Sequence, residues 1–352
     1  MTTGSNPPRI GRRAAIVGAA GLAAAGIARP VRAATPYEPA PGLAEAARKE
    51  GRVVFYTANT SEFEQEVIGA FRKRFPYVEV EMVRASGGQL ITRIKTEAAA
   101  GKLIADVVTH SDRGVMRAVE NLFQDYAPPN AADFLPSSLV SPKLWPRTTS
   151  GWCIAWNSEL NKTPVTSWFD LCKPENADGK IGQVIAGSGG TTWTRVMFER
   201  QVLGEDYWAR QAATKPQLYP SNAPLSDALV RGEVSIAPIL YYVAFPKQRD
   251  GAPLAMAFPK EGIPLVPFAA GIPKTAAHPN AGRLFLDWSL SDEGQAFCIS
   301  ELGAQTSLRT PPAATKGFDP ATAKVWLPDF AQFESLQADW VAAWNKTYGY
   351  RQ

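Results

Sequence analysis

From residue 52 to residue 110 the apolar residues switch repeatedly between a period of two and a period near 3.6, and that alternation limits the fold more tightly than any other feature. "RVVFYT" (52–57) is a β-rich run. Phe63, Val67, Ile68, Phe71 and Phe75 then recur at helical spacing, and "YVEVEMV" (77–83) alternates as a strand does. "GGQLITRIKTEAAAG" (87–101) reads as a helix ending at Gly101, and "ADVVTH" (105–110) is a third strand. Strand, helix, strand, helix, strand predicts an α/β fold, with a sheet built from right-handed βαβ crossovers.

Downstream, "GWCIAWN", "GKIGQVIAG" and "VSIAPIL" carry strand signals, and "TTWTRVMFERQVLG" a helical one. After "IPLVPFAAGIPK" comes a single long helical pattern, "NAGRLFLDWSLSDEGQAFCISELG". Prolines gather in the connections, and no internal repeat or low-complexity tract interrupts the pattern.

The first 34 residues read as an export leader rather than as fold. Arg9, Arg12 and Arg13 precede an uncharged run over residues 14–28, and Val31 and Ala33 supply small side chains for processing. The run is too short to span a bilayer. The Arg12–Arg13 pair fits twin-arginine export, and the basic start fits an ordinary secretory signal. Without the leader five arginines are lost and no acid, leaving 32 basic against 33 acidic residues. The chain's net charge of +4 therefore belongs to the leader, and no basic footprint for nucleic acid remains. The roughly 318 residues left exceed what one core usually serves, so two lobes are expected. Cys153, Cys172 and Cys298 leave at least one thiol unpaired in an oxidising compartment, and their spacing is not that of a metal site; they read mainly as buried thiols.

Catalytic signatures are lacking. One histidine, His110, is separated from Asp112 only by Ser111, but there is no Gly-x-Ser-x-Gly elbow, no His-Glu-x-x-His and no paired Cys/His spacing. A nucleophile with its oriented base does not emerge, and an enzyme is not expected. The features that do stand out are a glycine-rich turn into a helix, "AGSGGTTW" (186–193), a second one, "ASGGQ" (85–89), and two adjacent tyrosines, Tyr241 and Tyr242. Within a strand those tyrosines would face opposite ways, while at a strand end both can face one cleft.

Several phrases occurring in order resemble one family. "GRVVFYTANT", "GGQLITRIKTEAAAGKLIADVV", "TSWFDLCKPENADGKIG" and "IPKTAAHPNAGRLFLDWSLSDEGQAF…TSLRT" are similar to segments of extracellular solute-binding proteins of ABC importers, in the group that includes the periplasmic ferric-iron-binding proteins. The resemblance spans about residues 50–315. It implies a two-lobed type 2 periplasmic binding protein, each lobe a mostly parallel sheet flanked by helices, with the ligand cleft between lobes. The first lobe would take residues 35–150 and 265–315, and the second 151–264 and 316–352, with the C-terminal helices docked on the second. The implied partners are a small-molecule ligand and an inner-membrane permease, with no nucleic acid, for a periplasmic monomer. A ligand-sensing partner of a membrane receptor would share the fold.

The resemblance also implies site residues. Tyr241 and Tyr242 match the two phenolate ligands of the iron-binding members. The other iron ligands do not carry over: Thr60, Ser111 and Trp193 stand where the family has other donors, and no resident cofactor is expected unless Fe(III) is the cargo. The anion half of the family site matches better. Backbone N–H groups of Ser188, Gly189 and Gly190, the hydroxyls of Ser188, Thr191 and Thr192, and Asn222 would hold a phosphate, phosphonate or carboxylate, with Ser86 supplying a second set of donors. Trp193 beside the tyrosines would wall an organic body, and those aromatic faces would receive a cationic amine, so that a 2-aminoalkylphosphonate, a phosphate ester or a small carboxylate fits. The first expectation is therefore a small organic anion, with ferric iron and a synergistic anion as the alternative.

Overall fold

The computed structural model describes Met1 and residues 32–85, 87–313 and 324–351. The expected leader falls outside them except for Met1 and residues 32–34, and Ser86 falls outside them as well.

The chain begins with α1 (Leu43–Glu50), β1 (Arg52–Thr57), α2 (Ser61–Arg74), β2 (Glu79–Arg84), α3 (Gly87–Ala99), β3 (Val107–His110) and α4 (Arg113–Arg117). β1 pairs in parallel with both β2 and β3, the arrangement that the alternating periods predict. Helices cover the sheet because its strands are apolar on both faces: Val53 to Tyr56 are all buried, with Phe71 on one side and Leu90 and Ile94 on the other.

The second half starts from β4 (Trp145–Asn157) and continues through β5 (Gly182–Val184), α5 (Gly190–Val202), α6 (Tyr207–Ala212), β6 (Gln217–Tyr219), α7 (Asn222–Arg231), β7 (Ile236–Leu240), α8 (Tyr241–Arg249) and β8 (Leu254–Ala257). β9 (Ile263–Gly271) returns to the first half, followed by α9 (Pro279–Leu290) and α10 (Asp292–Leu302). β10 (Val325–Trp326), α11 (Phe330–Ser335) and α12 (Gln337–Thr347) close the chain.

β4 and β9 connect the halves. They run antiparallel from Trp145 opposite Ala270 to Gly151 opposite Leu265, and β9 pairs with β3. From Trp152 onward β4 turns to β7 and then β8, both antiparallel. The strand order is β2-β1-β3-β9-β4-β7, with β8 on β4 and β10 on β9. The second half is thus mixed, its parallel part being the pair β5–β6 and the bridge from Ile181 to Ile236.

Two features differ from the sequence reading. β4 begins at Trp145, well ahead of "GWCIAWN", because its polar residues are buried with partners: the Thr149 carbonyl accepts from Gln305 N–H at 2.8 Å and its hydroxyl meets Ser307 at 2.7 Å. The long C-terminal helical pattern is two helices. Ser291 ends α9 in an extended conformation and caps α10 by accepting from Gly294 N–H at 3.2 Å, with Asp292 and Glu293 in the favourable first turn.

All three cysteines are free thiols; Cys153 and Cys298 are buried and Cys172 half-buried. Among the described residues no helix is long and apolar enough to cross a membrane.

Candidate functional site

The C-terminal ends of β1, β2 and β3 deliver three loops to one edge of the first half, where ligands settle in open α/β sheets. The β1–α2 loop is fixed from beneath. Glu64, fully buried in α2, takes both guanidinium nitrogens of Arg147 at 2.9 and 2.7 Å and also accepts from Thr57 Oγ1 and Asn59 Nδ2, each at 3.2 Å. Arg147 lies on β4 with its guanidinium over the Phe55 and Phe285 rings. Four hydrogen bonds onto one carboxylate are what let a charged pair sit in the interior. The result is a rigid Asn59, whose carbonyl accepts from Arg84 Nε at 3.2 Å.

The other two loops are tied by His110. Its Nδ1 accepts from Asp112 N–H at 2.9 Å, which leaves Nε2 to donate to the Gly87 carbonyl at 3.0 Å. Burial pushes the imidazole pKa below its ordinary value, so the ring is neutral, as that pair of bonds demands. Its side chain turns into the first half rather than into the cleft.

The second half contributes two helix starts. Gly189 has φ 139°, a conformation open to glycine, and α5 begins at Gly190. Trp152 Nε1 donates to the Thr191 carbonyl at 3.1 Å, anchoring this turn to β4. Ser188 Oγ donates to the Pro220 carbonyl at 2.8 Å, joining the turn to the start of α7, where Asn222 stands. The Asn222 Oδ1 and Thr192 Oγ1 atoms are buried without a hydrogen-bond partner. α5 and α7 both bring free N–H groups and a positive dipole end to the same region.

The halves meet here. Gly190 lies against the backbone of Ser111 and Asp112. Between the halves also opens a groove of about 630 Å³, walled by Thr60 and Phe63 of the first half and by Ala223 and Tyr242 of the second. Its size suits a small solute.

The structure separates the two tyrosines. α8 starts at Tyr241, so the pair are neighbours on a helix rather than at a strand end. Tyr242 points to the groove, with Phe63 edge-on at 5.2 Å and Phe268 at 6.5 Å. Tyr241 turns into the core of the second half, 4.8 Å from Phe258 and 5.3 Å from Phe245. Burial raises both phenol pKa values well above the usual range, so neither gives up its proton readily. Tyr241 is thus a core residue, and this arrangement presents one phenol to the cleft. Among the described residues no group of three or more His, Cys, Asp or Glu is placed to hold a metal ion.

Trp193 is a second correction. It is fully buried, and its Nε1 donates to the Phe333 carbonyl at 2.8 Å while its ring contacts Phe333 and Trp340. Its indole fastens the C-terminal helices to α5 and leaves nothing for a ligand. Thr60, Ser111, Ser188, Gly189, Gly190, Thr191, Thr192 and Asn222 do come together around the junction of the halves.

Arg84 escaped the sequence reading. It ends β2 immediately before "ASGGQ", and among the described residues it has no carboxylate within 4.0 Å. Its Nε holds the carbonyl of Asn59, whose neighbour Thr60 lines the groove. A cation closing a strand just before a glycine-rich turn was the signal available.

The sequence matches the family described as bacterial extracellular solute-binding protein over residues 57–296. An uncharacterised protein of Haemophilus influenzae is 28% identical over 177 residues, covering 48% of this chain, and the match spans about half (51%) of that relative's length. Among solved structures, the periplasmic binding protein AfuA of Actinobacillus pleuropneumoniae, with fructose-6-phosphate bound, has a TM-score of 0.69 at 22% identity, over 86% of this chain and 100% of that one. Iron-bound HitA of Pseudomonas aeruginosa has a TM-score of 0.61 at 20% identity, over 85% of this chain and 98% of that one. At these identities the structural likeness speaks for the fold.

Proposed function

The chain belongs to the bacterial extracellular solute-binding protein family, and we propose that it is the periplasmic capture component of an ABC importer for a small organic anion, a phosphonate, phosphate ester or carboxylate. One observation carries this reading. Arg84, which has no carboxylate within 4.0 Å among the described residues, holds the Asn59 carbonyl beside Thr60 on the groove wall, and the α7 N-terminus with its free N–H groups stands on the other side. Fixed donors and a fixed positive charge on both sides of a hinge suit an anion that bridges the halves. The solute stabilises the closed form only by the difference between its contacts there and in the open form, and the loaded protein is then handed to a permease. AfuA was crystallised with a sugar phosphate, and HitA with iron. Iron is the weaker reading for this chain, because the two phenols that would bind it enter different clusters.

The test is calorimetric titration of chelator-stripped protein with ethyl phosphate, acetate and inorganic phosphate, beside a visible spectrum recorded with ferric citrate. Saturable heat with an anion and a colourless protein support the reading. A charge-transfer band that disappears in Tyr242→Phe would replace it with iron capture.

A further inference from the structure

The groove beside the anion site carries the opposite charge. From this we infer that it receives an ammonium group, so that the solute is zwitterionic: a short phosphate or phosphonate bearing a primary amine. This rests on the anion reading above and adds the other end of the molecule.

Six charged side chains line the groove: Glu62 and Glu66 of α2, Asp227 of α7, Lys247 and Arg249 of α8, and Asp250 just beyond it. Lys247 Nζ is 2.8 Å from Asp227, and Arg249 Nε is 3.0 Å from Asp250. The Arg249 guanidinium also donates to the Glu301 carbonyl at 2.9 Å. These four charges pair with one another, with the Arg249 guanidinium also within electrostatic reach of Glu66. Glu62 and Glu66 are left without an ion pair among the described residues. They stand one turn apart on the same helix face, a spacing at which like charges repel. The α2 dipole favours Glu62 in its first turn but offers Glu66 nothing, since the effect fades within that turn.

A second, independent feature points to a ligand. Tyr242 lines the groove while only 6% exposed, and among the described residues its hydroxyl makes no side-chain hydrogen bond. Its ring and that of Phe63 form an aromatic wall. Carboxylates, an aromatic face and a phenolic oxygen able to accept a hydrogen bond are together the chemistry that receives an ammonium ion. A purely anionic solute would gain nothing from this wall and would be repelled by it. The anion site lies directly alongside: Arg84 bonds the Asn59 carbonyl, and the next residue, Thr60, lines the groove. A short molecule can therefore reach both.

Ethanolamine phosphate and ethyl phosphate differ chiefly in the amine and make the matched probes. Each is titrated calorimetrically into the parent protein and into the double variant Glu62→Gln, Glu66→Gln, whose exposed positions keep folding out of question. The parent should bind ethanolamine phosphate at least about tenfold more tightly than ethyl phosphate. The double variant should lose most of that preference while binding ethyl phosphate as well as the parent or better. Equal affinity of the parent for both probes overturns the ammonium site and leaves the anion reading standing, as does a preference that survives in the double variant. Failure of the parent to bind either probe overturns both.

Discussion

Gly190 in the second half touches the main chain of Asp112 in the first: a β-carbon built on it would stand 2.7 Å from the Asp112 α-carbon and 2.7 Å from the Ser111 carbonyl oxygen. The obstacle is backbone, which cannot swing aside as a side-chain tip can. The loops meet only because residue 190 carries no side chain. Its φ is not in the left-handed region, so alanine is acceptable in an open form. Gly190→Ala should hold the halves apart and weaken solute binding by about tenfold or more, with little change in melting temperature. Titration beside small-angle scattering checks this; parent affinity with parent compaction would mean that closure does not pass through Gly190.

Arg84→Ala should remove the anion's charged partner. A hydrogen bond to a charged group is worth roughly 1.5–3 kcal/mol, which corresponds to a loss of about ten- to a hundredfold in affinity. Stability should hardly move, since Arg84 is exposed. Affinity in the parent should also fall with rising salt, and that slope should flatten in the variant. A variant that binds ethyl phosphate as the parent does would place the anion away from β2.

His110 gives the cleft a pH limit. Burial holds its pKa below the ordinary 6.5, so between those two values the unfolded chain takes up a proton that the folded one refuses. Its stabilising contribution is complete above pH 6.5 and is lost as pH falls through that value towards the lower folded pKa. The folded protein protonates only below that, when Nδ1 can no longer accept from Asp112 N–H and the two loops come apart. Melting temperature should therefore decline as pH falls below about 6.5, with affinity following at lower pH. His110→Gln should flatten the first of these slopes.

The first three strands and two helices were readable because period and burial coincide there: Val53 to Tyr56 and Phe63 to Phe71 are what they look like in sequence. The start of β4 was not, since Arg147 and Thr148 to Ser150 look like a polar loop until Glu64, Gln305 and Ser307 are brought to them from far along the chain. The break at Ser291 was legible in retrospect, as a serine followed by two acids starts a helix. At the site, motif alone points to the glycine turn and Asn222 as candidates, but the direction a side chain takes is not written in a motif. Tyr241 and Trp193 are aromatic residues beside the cleft whose rings the cores of the second half claim.

Trp193→Phe separates those roles. The change leaves an aromatic ring against Trp340 but removes the donor to the Phe333 carbonyl. An unsatisfied buried carbonyl costs about 1–3 kcal/mol. Urea denaturation should show that loss, with solute affinity unchanged. A variant of parent stability and lowered affinity would return Trp193 to the site.

Glu64 and Arg147 test whether the cleft is held from beneath. Both are almost completely buried. Glu64→Gln leaves the guanidinium without its charge partner and should destabilise the protein by about 3–5 kcal/mol. Replacing the pair together, Glu64→Leu with Arg147→Met, removes both charges and should recover much of that loss. The two changes should part company in binding. The glutamine amide oxygen can still accept from Thr57 and Asn59, whereas the leucine removes their common acceptor, so in the double variant the loop that carries Asn59 and Thr60 is freed even where stability returns. The double variant should therefore denature near the parent's urea midpoint yet bind the solute several-fold more weakly. Parent affinity in that variant would show that β1 and α2 hold the loop without the ion pair, leaving Glu64 and Arg147 a part in stability alone.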